Sequence, residues 1–272
     1  MSTVTVVTSF SGIGFRDYGN KMLKSACQFL PTNVEIWAYY NGVKPEFHND
    51  RVQFIDNYAI PNGVSDFLKR HGKDQRLWGK VPGQANENFR TAICKFSHKQ
   101  YALYHASTVT VSDFLVYADA DIIFFADVPE SFFDDILPDP HYLAVLDRGP
   151  KYFPETGWFQ LRTSHLYHKE FLERYIDFCR RDTFLEQREF HDAWLTGVLI
   201  QQMRSEGKIS IANLCPGFDG SGHPWLQSEL ARYSDHAKGK LRKLTGRSFV
   251  EDVRGNRTEP YWKNLPSRKD LK

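Results

Sequence analysis

The sequence predicts an α/β fold in which a mostly parallel sheet is flanked by helices. Strand-like and helix-like patterns alternate over the first half of the chain, one later run is apolar throughout, and 272 residues suffice for one such domain. Alternating strands and helices favour a parallel sheet with helices on its faces, and a strand buried on both faces reads as a continuous apolar run. We predict a single domain over residues 1–250 and a helical or basic C-terminal tail over 251–272.

The first three strands and the first helix follow one another in the order that a parallel sheet needs. The strand patterns are short, rich in β-branched and aromatic residues, and bounded by turn residues. These elements are predicted at Thr3–Ser9, Asp17–Leu30, Val34–Tyr40 and Val52–Ile55. Ligands of open α/β sheets bind beyond the carboxyl ends of the strands. We therefore expect Thr8, Ser9 and Phe10, at the end of the first strand, to contact a nucleotide base or ribose.

Two segments in the middle of the chain carry clustered positive charge. The stretch 57–84 lacks a periodic pattern and is rich in Lys, Arg and His between residues 69 and 80, which predicts a long loop that is either solvated or contacts phosphate. The stretch 88–106 is predicted as one helix that places Lys95 and Lys99 on the same face. Two ammonium groups so placed would meet phosphate oxygens or remain in water.

Composition argues against several classes of protein. A formal net charge of +2 is too small for nucleic-acid binding driven by overall charge. The four cysteines include no Cys-x-x-Cys pair, so reduced, buried thiols are expected rather than zinc or redox chemistry. No apolar run approaches the ~20 residues that span a bilayer, and the chain starts with a strand pattern rather than a signal peptide. We expect a cytoplasmic protein without a membrane span.

The strongest functional signal is Asp119-Ala120-Asp121, which directly follows the apolar run at 114–118. Burying unpaired carboxylates is costly, so two of them at the end of a buried strand favour a cation as their partner. Mn²⁺ and Mg²⁺ prefer oxygen ligands and keep coordination positions for substrate phosphates. We predict that Asp119 and Asp121 bind one of these ions and that Ala120 lies against the bound nucleotide.

These features resemble glycosyltransferases of the GT-A type, in particular the retaining enzymes of family 8. Besides the Asp-x-Asp motif and the helix pattern at 128–137 that follows it, the resemblance depends on the segments Tyr152–Leu161 and Asp235–Lys240. The first is similar to the strand that lines the family's sugar pocket, where Gly157 matches the family glycine and Glu155 replaces an Asn. The second is similar to the family's late His-x-x-Gly segment. The resemblance implies that His236 is the third metal ligand.

The resemblance also implies a nucleotide-sugar donor, most often a UDP-sugar, whose diphosphate contacts Lys240. On physical grounds, a neutral His236 imidazole is a good ligand for a divalent ion, and Asp235 would orient it. Gly239 would let backbone amides approach phosphate oxygens. The basic side chains that would neutralise the leaving diphosphate are Lys238, Lys240, Arg242 and Lys243.

Asp192 and Glu155 are the candidate catalytic carboxylates. Asp192 begins an amphipathic helix pattern, so one alternative is that it is the helix N-cap. The other alternative is a carboxylate beside Glu155, on the side of a bound sugar opposite the metal ion. An oxocarbenium-like transition state favours nearby negative charge, and an acceptor hydroxyl needs a proton acceptor. Glu155 is equally suited to holding the sugar hydroxyls.

We predict a metal-dependent glycosyltransferase that moves a sugar, with retention, onto a glycan or glycoconjugate. Hydroxymethylated DNA is an alternative acceptor, because the loop and tail are basic and because His191-Asp192 together with Asp235–Gly239 also resembles phage glycosyltransferases, which act in the host cytoplasm. A sugar nucleotidyltransferase is a more distant alternative, since Gly12-x-Gly14 lacks the Lys expected in a phosphate loop. Intact Asp119, Asp121 and His236 argue against an inactive carbohydrate-binding module.

Overall fold

A seven-stranded sheet lies at the centre of the computed structural model, which describes residues 2–81, 83, 87–218, 220, 223–253 and 257–271. The strands are β1 (Val4–Ser11), β2 (Val34–Asn41), β3 (Val52–Asp56), β4 (Phe114–Ala118), β5 (Ile122–Phe124), β6 (Leu143–Leu146), β7 (Glu155–Arg162), β8 (Ile211–Asn213) and β9 (Ser234–His236). The order in the large sheet is β3-β2-β1-β4-β7-β6-β8, and β5 pairs with β9 in a separate two-stranded sheet. In the large sheet only β7 runs antiparallel to its neighbours. The predicted mostly parallel α/β sheet is confirmed.

Helices cover both faces of this sheet. They are α1 (Gly12–Gly14), which continues through a π-helical turn (Phe15–Gly19) into α2 (Asn20–Phe29), and then α3 (Val64–His71), α4 (Ile93–Val109), α5 (Phe132–Ile136), α6 (His168–Arg180), α7 (Asp192–Ser205), α8 (Lys240–Thr245) and α9 (Pro260–Lys263). Val4 and Val6 of β1 pack into one hydrophobic cluster with α2, and Val7 packs into a second cluster with α4 and α6. Successive strand residues point to opposite faces, so β1 is buried on both sides, as its apolar pattern predicts.

The predicted long loop at 57–84 is wrong in part, because α3 and a 3₁₀ turn at Gln75–Trp78 lie within it. Val64, Phe67 and Leu77 are buried in the second cluster, and this apolar face holds the segment against α4. Much of its positive charge is neutralised within the chain. Lys69 Nζ lies 2.8 Å from a carboxylate oxygen of Asp66, and Arg70 Nη2 lies 3.0 Å from one of Asp182.

The described part of the predicted C-terminal tail packs into the domain, which corrects the expectation of a separate basic segment. Trp262 is 3% exposed, belongs to the first hydrophobic cluster, and donates from Nε1 to the carbonyl oxygen of Ala231 at 2.7 Å. The ring of Tyr261 stacks on Phe125 with centroids 4.0 Å apart. Aromatic residues among the basic ones provide the apolar surface that holds this segment in place. Arg254–Asn256 and Lys272 lie outside the described residues.

We predict that Trp262→Ala lowers the free energy of unfolding by about 3–5 kcal/mol, because it removes a buried indole and leaves a cavity. Lys263→Ala, at the exposed neighbouring position, should change it by less than about 0.5 kcal/mol. Urea unfolding followed by fluorescence measures both. Equal stability of the two variants would show that the segment is not part of the core.

Candidate metal and nucleotide site

Asp119, Asp121 and His236 come together at the carboxyl end of β4. The turn after β4 is held by the Asp119 backbone N–H, which donates to the carbonyl oxygen of Gly157 at 2.8 Å. The pairing of β5 with β9 places His236 opposite Ile122, one residue beyond Asp121. One ligand atom of each of the three side chains lies within 4.8 Å of the other two. Strand pairing, rather than proximity in sequence, therefore assembles this group.

The distances within the group suit a hexacoordinate divalent cation. His236 Nε2 is 3.1 Å from Asp121 Oδ1 and 3.6 Å from Asp119 Oδ2. Neighbouring ligands of an octahedral Mg²⁺ lie about 3 Å apart, because each is about 2.1 Å from the ion. The second oxygen of each carboxylate contacts a lysine: Asp119 Oδ1 is 3.4 Å from Lys99 Nζ, and Asp121 Oδ2 is 3.0 Å from Lys243 Nζ. Each lysine thus orients one carboxylate and leaves its other oxygen facing His236.

Burial and mutual attraction set the protonation of this group. Burial disfavours the charged form of His236, but the carboxylates of Asp121 and Asp119 outweigh it and raise the His236 pKa. Burial also opposes ionisation of Asp121, yet His236 and Lys243 hold its pKa below the usual range. Burial raises the pKa of Asp119 despite Lys99. A bound cation would take the place of the imidazole proton, because a ligating imidazole must be neutral.

Packing on several sides fixes the imidazole of His236. A Cβ atom at Gly157 would lie 2.5 Å from His236 Cε1, so only glycine fits beneath the ring. The rings of His223 and Trp225 lie 5.1 and 5.0 Å from it, centroid to centroid. Its Nδ1 has no hydrogen-bond partner among the described residues. Gly157, predicted to line the sugar pocket, thus also provides the space that the metal-ligand candidate occupies.

Asp235 does not orient the His236 ring, although the sequence suggested that it would. Its fully buried carboxylate accepts hydrogen bonds from the Ser248 backbone N–H at 2.6 Å, the Ser248 hydroxyl at 2.7 Å and the Tyr261 hydroxyl at 2.8 Å. Successive residues of β9 point to opposite faces, so Asp235 points away from Asp119 and Asp121. Its contribution is to hold β9, and with it His236, against the C-terminal segment.

A buried lysine connects the group of Asp119, Asp121 and His236 to Asp192. Lys99 Nζ is 2.8 Å from Asp192 Oδ2 and also donates to the carbonyl oxygen of Thr156. Burial disfavours the Lys99 charge, but Asp119 and Asp192 outweigh it and raise the pKa well above its ordinary value. Asp192 accepts a second hydrogen bond from the Thr156 hydroxyl at 2.8 Å. Burial opposes its ionisation, but Lys99 holds the Asp192 pKa below its usual range.

The two predicted catalytic carboxylates do not lie side by side. Asp192 binds the side chain of Thr156, whereas Glu155 contacts Lys238 Nζ and accepts from the Gly157 backbone N–H at 3.2 Å. Because Glu155 and Thr156 are successive residues of β7, their side chains point to opposite faces. Burial opposes the charge on Glu155, but Lys238 outweighs it and lowers the pKa.

The N-cap interpretation of Asp192 is also wrong. Asp192 is the first residue of α7, and the cap is His191, whose Nδ1 accepts from the Trp194 backbone N–H at 3.3 Å. The contacts of Asp192 to Lys99 and Thr156 therefore account for its position better than helix capping does.

The residues at the end of β1 are mostly inaccessible to a ligand. Phe10 is 4% exposed and packs in the first hydrophobic cluster, 5.4 Å from the ring of Phe15, and Thr8 is fully buried. This corrects the expectation that both contact a nucleotide. Ser9 is partly exposed, and its hydroxyl lies 2.9 Å from that of Tyr117, so it alone of the three presents a surface at this edge of the sheet.

The two lysines of α4 lie in different environments, which argues against the alternative in which both contact phosphate. Lys95 is exposed and contacts Glu87, whereas Lys99 is buried in the network described above. Ala120, predicted to touch the nucleotide, is 5% exposed and packs in the first cluster.

In the late His-x-x-Gly segment, Gly239 has φ = 90°, a left-handed conformation that favours glycine, immediately before α8. Lys240 is the first residue of α8, and its side chain lies outside the described part of the chain. Arg242 forms an ion pair with Asp252, in which Nε lies 2.7 Å from Oδ2 and Nη2 lies 2.5 Å from Oδ1. Among the described side chains of this segment, Lys238 and Lys243 are therefore the basic ones that contact site carboxylates.

Sequence reasoning missed three residues of the site. Thr156 follows Glu155 directly, and its place in the sugar-pocket segment was a usable signal. His223 packs against His236, and its Nε2 donates to the His236 carbonyl oxygen at 3.2 Å. The third missed residue is Tyr18, whose ring centroid lies 4.4 Å from Lys243 Nζ. His223 and Tyr18 had no sequence signal, because they approach the site from segments distant in the chain.

No family model and no curated protein matches this chain. Among solved structures it is similar to glycosyltransferase GlyE of Streptococcus pneumoniae TIGR4 (14% identity, 78% of this chain, 45% of that chain, TM-score 0.43). It is also similar to mouse xyloside xylosyltransferase 1 (9% identity, 78% and 85% covered, TM-score 0.45). The bifunctional glycosyltransferase WbbM is a further match (13% identity, 79% and 39% covered, TM-score 0.42).

The chain thus spans less than half the length of the GlyE and WbbM structures. At these identities and TM-scores, function has to be argued from the chemistry of the site. Within the described residues, no helix combines the length and apolarity needed to cross a membrane.

We predict that Lys99→Met destabilises the protein by about 3–5 kcal/mol, because it leaves the buried Asp192 carboxylate without its cation. The double variant Lys99→Met/Asp192→Leu should recover much of that loss, since it removes both charges. Urea unfolding of the four proteins of this cycle measures the coupling. Additive losses would show that the 2.8 Å contact contributes no coupling energy.

Proposed function

We propose that this protein is a metal-dependent glycosyltransferase of the GT-A type that uses a nucleotide-sugar donor. The observation that carries the proposal is the group of Asp119, Asp121 and His236, in which each carboxylate is held through one oxygen by a lysine. Two carboxylate oxygens and one imidazole nitrogen on one side of an ion leave its other positions open. Phosphate oxygens of a nucleotide diphosphate are suitable ligands for those positions.

The charges around the site support binding of a diphosphate. Three buried carboxylates (Asp121, Glu155 and Asp192) and the partly exposed carboxylate of Asp119 lie among three ammonium groups (Lys99, Lys238 and Lys243). With a neutral His236, this leaves one negative charge in excess, which a divalent cation would convert to one positive charge. Such a site attracts an anion, and the cation would supply charge stabilisation for the departing diphosphate.

Lys243 and Lys238 are the side chains best placed to act on the leaving group. Their side chains are 36% and 52% exposed, although each contacts a buried carboxylate. Both can therefore reach a ligand on the solvent side while remaining tethered at the site. An ammonium group beside the diphosphate stabilises the charge that grows as the glycosidic bond breaks.

Glu155 stays ionised, because Lys238 holds its pKa low, so it is not suited to donate a proton. A carboxylate at this position stabilises an oxocarbenium-like transition state or holds the sugar hydroxyls. Asp192, paired with Lys99 on the other face of β7, supports the positions of Lys99 and Thr156. In a retaining reaction the departing phosphate can accept the proton of the acceptor hydroxyl. We propose retention, together with the UDP-sugar donor and the glycan or glycoconjugate acceptor that the sequence resemblance implies.

The single most informative experiment is a hydrolysis and transfer screen of nucleotide-sugars with Mn²⁺, with Mg²⁺ and with a chelator. Release of nucleotide diphosphate that needs the metal and depends on the sugar nucleotide would support the proposal. No metal-dependent turnover of any nucleotide-sugar, with intact folding, would contradict it.

We predict that Asp121→Asn weakens Mn²⁺-dependent UDP binding by at least about 100-fold, since the charged ligand is lost from a site with three protein ligands. Asp127→Asn is a matched control, because Asp127 is exposed and lies only six residues along the chain. Calorimetric titration of UDP with and without Mn²⁺ measures the effect. Unchanged affinity in Asp121→Asn would remove Asp121 from the metal site.

We predict that Gly157→Ala lowers Mn²⁺ affinity about 10–100-fold, the range expected for His236→Ala, although Gly157 supplies no ligand atom. The added methyl group would displace the His236 ring. Gly12→Ala is the matched control, because nothing lies within 4 Å of a Cβ at Gly12. If Gly157→Ala binds Mn²⁺ normally while His236→Ala does not, the ring position is not critical.

A further inference from the structure

A cleft of about 1220 Å³ lies next to the segments that carry Glu155 and Asp192 and is not used by the proposed donor chemistry. One wall is the loop from Asp147 to Pro154, and the other is formed by Arg188, Glu189 and the exposed side of α7. Pro154 directly precedes Glu155. Glu189 Oε2 lies 2.9 Å from Nε2 of His191, the residue before Asp192. One wall of the cleft therefore continues into Glu155, and the other continues into Asp192.

The described lining of this cleft has an excess of positive charge. Its charged side chains are Arg90, Lys151, Arg188 and Arg204 against Asp147 and Glu189. Arg90 and Arg188 both approach Glu189, at 3.8 and 3.3 Å, so two cations share one carboxylate. Lys151 and Arg204 are exposed and have no ion-pair partner among the residues described. Both side chains can therefore form ion pairs with an anionic ligand.

The rest of the lining suits sugar rings. Trp194 presents an aromatic ring, with the Arg188 guanidinium 4.1 Å from its centroid, and Tyr152 is 38% exposed. Asn88, Thr91 and Gln201 supply neutral hydrogen-bonding groups. A few polar groups that converge on an aromatic-lined cleft are typical of small-molecule and oligosaccharide sites.

We propose that this cleft binds the acceptor, and that the acceptor is an acidic oligosaccharide whose carboxylates contact Lys151 and Arg204. The assignment as an acceptor rests on the proposed function, whereas binding of an acidic sugar does not. Arg and Lys form the stronger, charge-assisted hydrogen bonds with carboxylates. A double helix would contact only the rim of such a cleft, and part of the basic cluster at 69–80 that favoured DNA is paired within the chain.

The test measures binding of tetragalacturonate by calorimetry at low salt, with a chelator and without a nucleotide, so that donor and metal binding play no part. Maltotetraose is the neutral probe of equal length, and a single-stranded oligothymidylate is the nucleic-acid probe. Tetragalacturonate should bind more tightly than maltotetraose. The double variant Lys151→Gln/Arg204→Gln should weaken tetragalacturonate binding about tenfold, because two exposed charge contacts are lost.

The charge-matched control is Lys24→Gln/Lys44→Gln, which removes two exposed lysines that do not line the cleft and should leave the affinity unchanged. Equal binding of the two tetrasaccharides, equal weakening in both double variants, or preference for oligothymidylate would each overturn the proposal. Mn²⁺-dependent UDP binding by the same variants separates the two proposals. If it persists while tetragalacturonate fails to bind, the acceptor assignment alone is wrong.

Discussion

The site depends on one constraint: two carboxylates at the end of a central strand are withdrawn from water, Asp121 almost completely and Asp119 in part. Asp119 and Asp121 follow β4, which is apolar and covered on both faces; Asp121 is buried, whereas 34% of the Asp119 side chain stays exposed. Lys99 and Lys243 each take one oxygen of one carboxylate. The other oxygens converge on His236. The same arrangement that makes burial tolerable leaves a set of ligand atoms with the spacing of a divalent-ion site.

The position of His236 depends on parts of the chain that have no ligand role. Its strand, β9, pairs with β5 in a two-stranded sheet and is held from behind by the hydrogen bonds of Asp235 to Ser248 and Tyr261. The absence of a side chain at Gly157 makes room for the ring. Tyr261, which lies beyond the predicted domain boundary at residue 250, is therefore linked through β9 to the group of Asp119, Asp121 and His236.

The two faces of strand β7 contact different groups of residues. Glu155 and Gly157 face Lys238 and His236, on the side where the donor is proposed to bind. Thr156 faces Lys99 and Asp192, a charge-neutral buried network that holds the base of α7. The cleft proposed for the acceptor follows the loop that enters this strand. The reacting sugar would then lie where the strand begins, between a fixed donor site and a more open acceptor cleft.

The sequence by itself determined the α/β class, the buried strand before Asp119, and the residue types that come together as Asp119, Asp121 and His236. These depend on local pattern and on motif resemblance, which one chain displays directly. Only the tertiary structure decided that Lys99 is buried while Lys95 is exposed, that Phe10 belongs to the core, and that the C-terminal segment is packed. Such properties depend on contacts between residues far apart in the chain, and periodicity carries no information about which distant surface covers a given face.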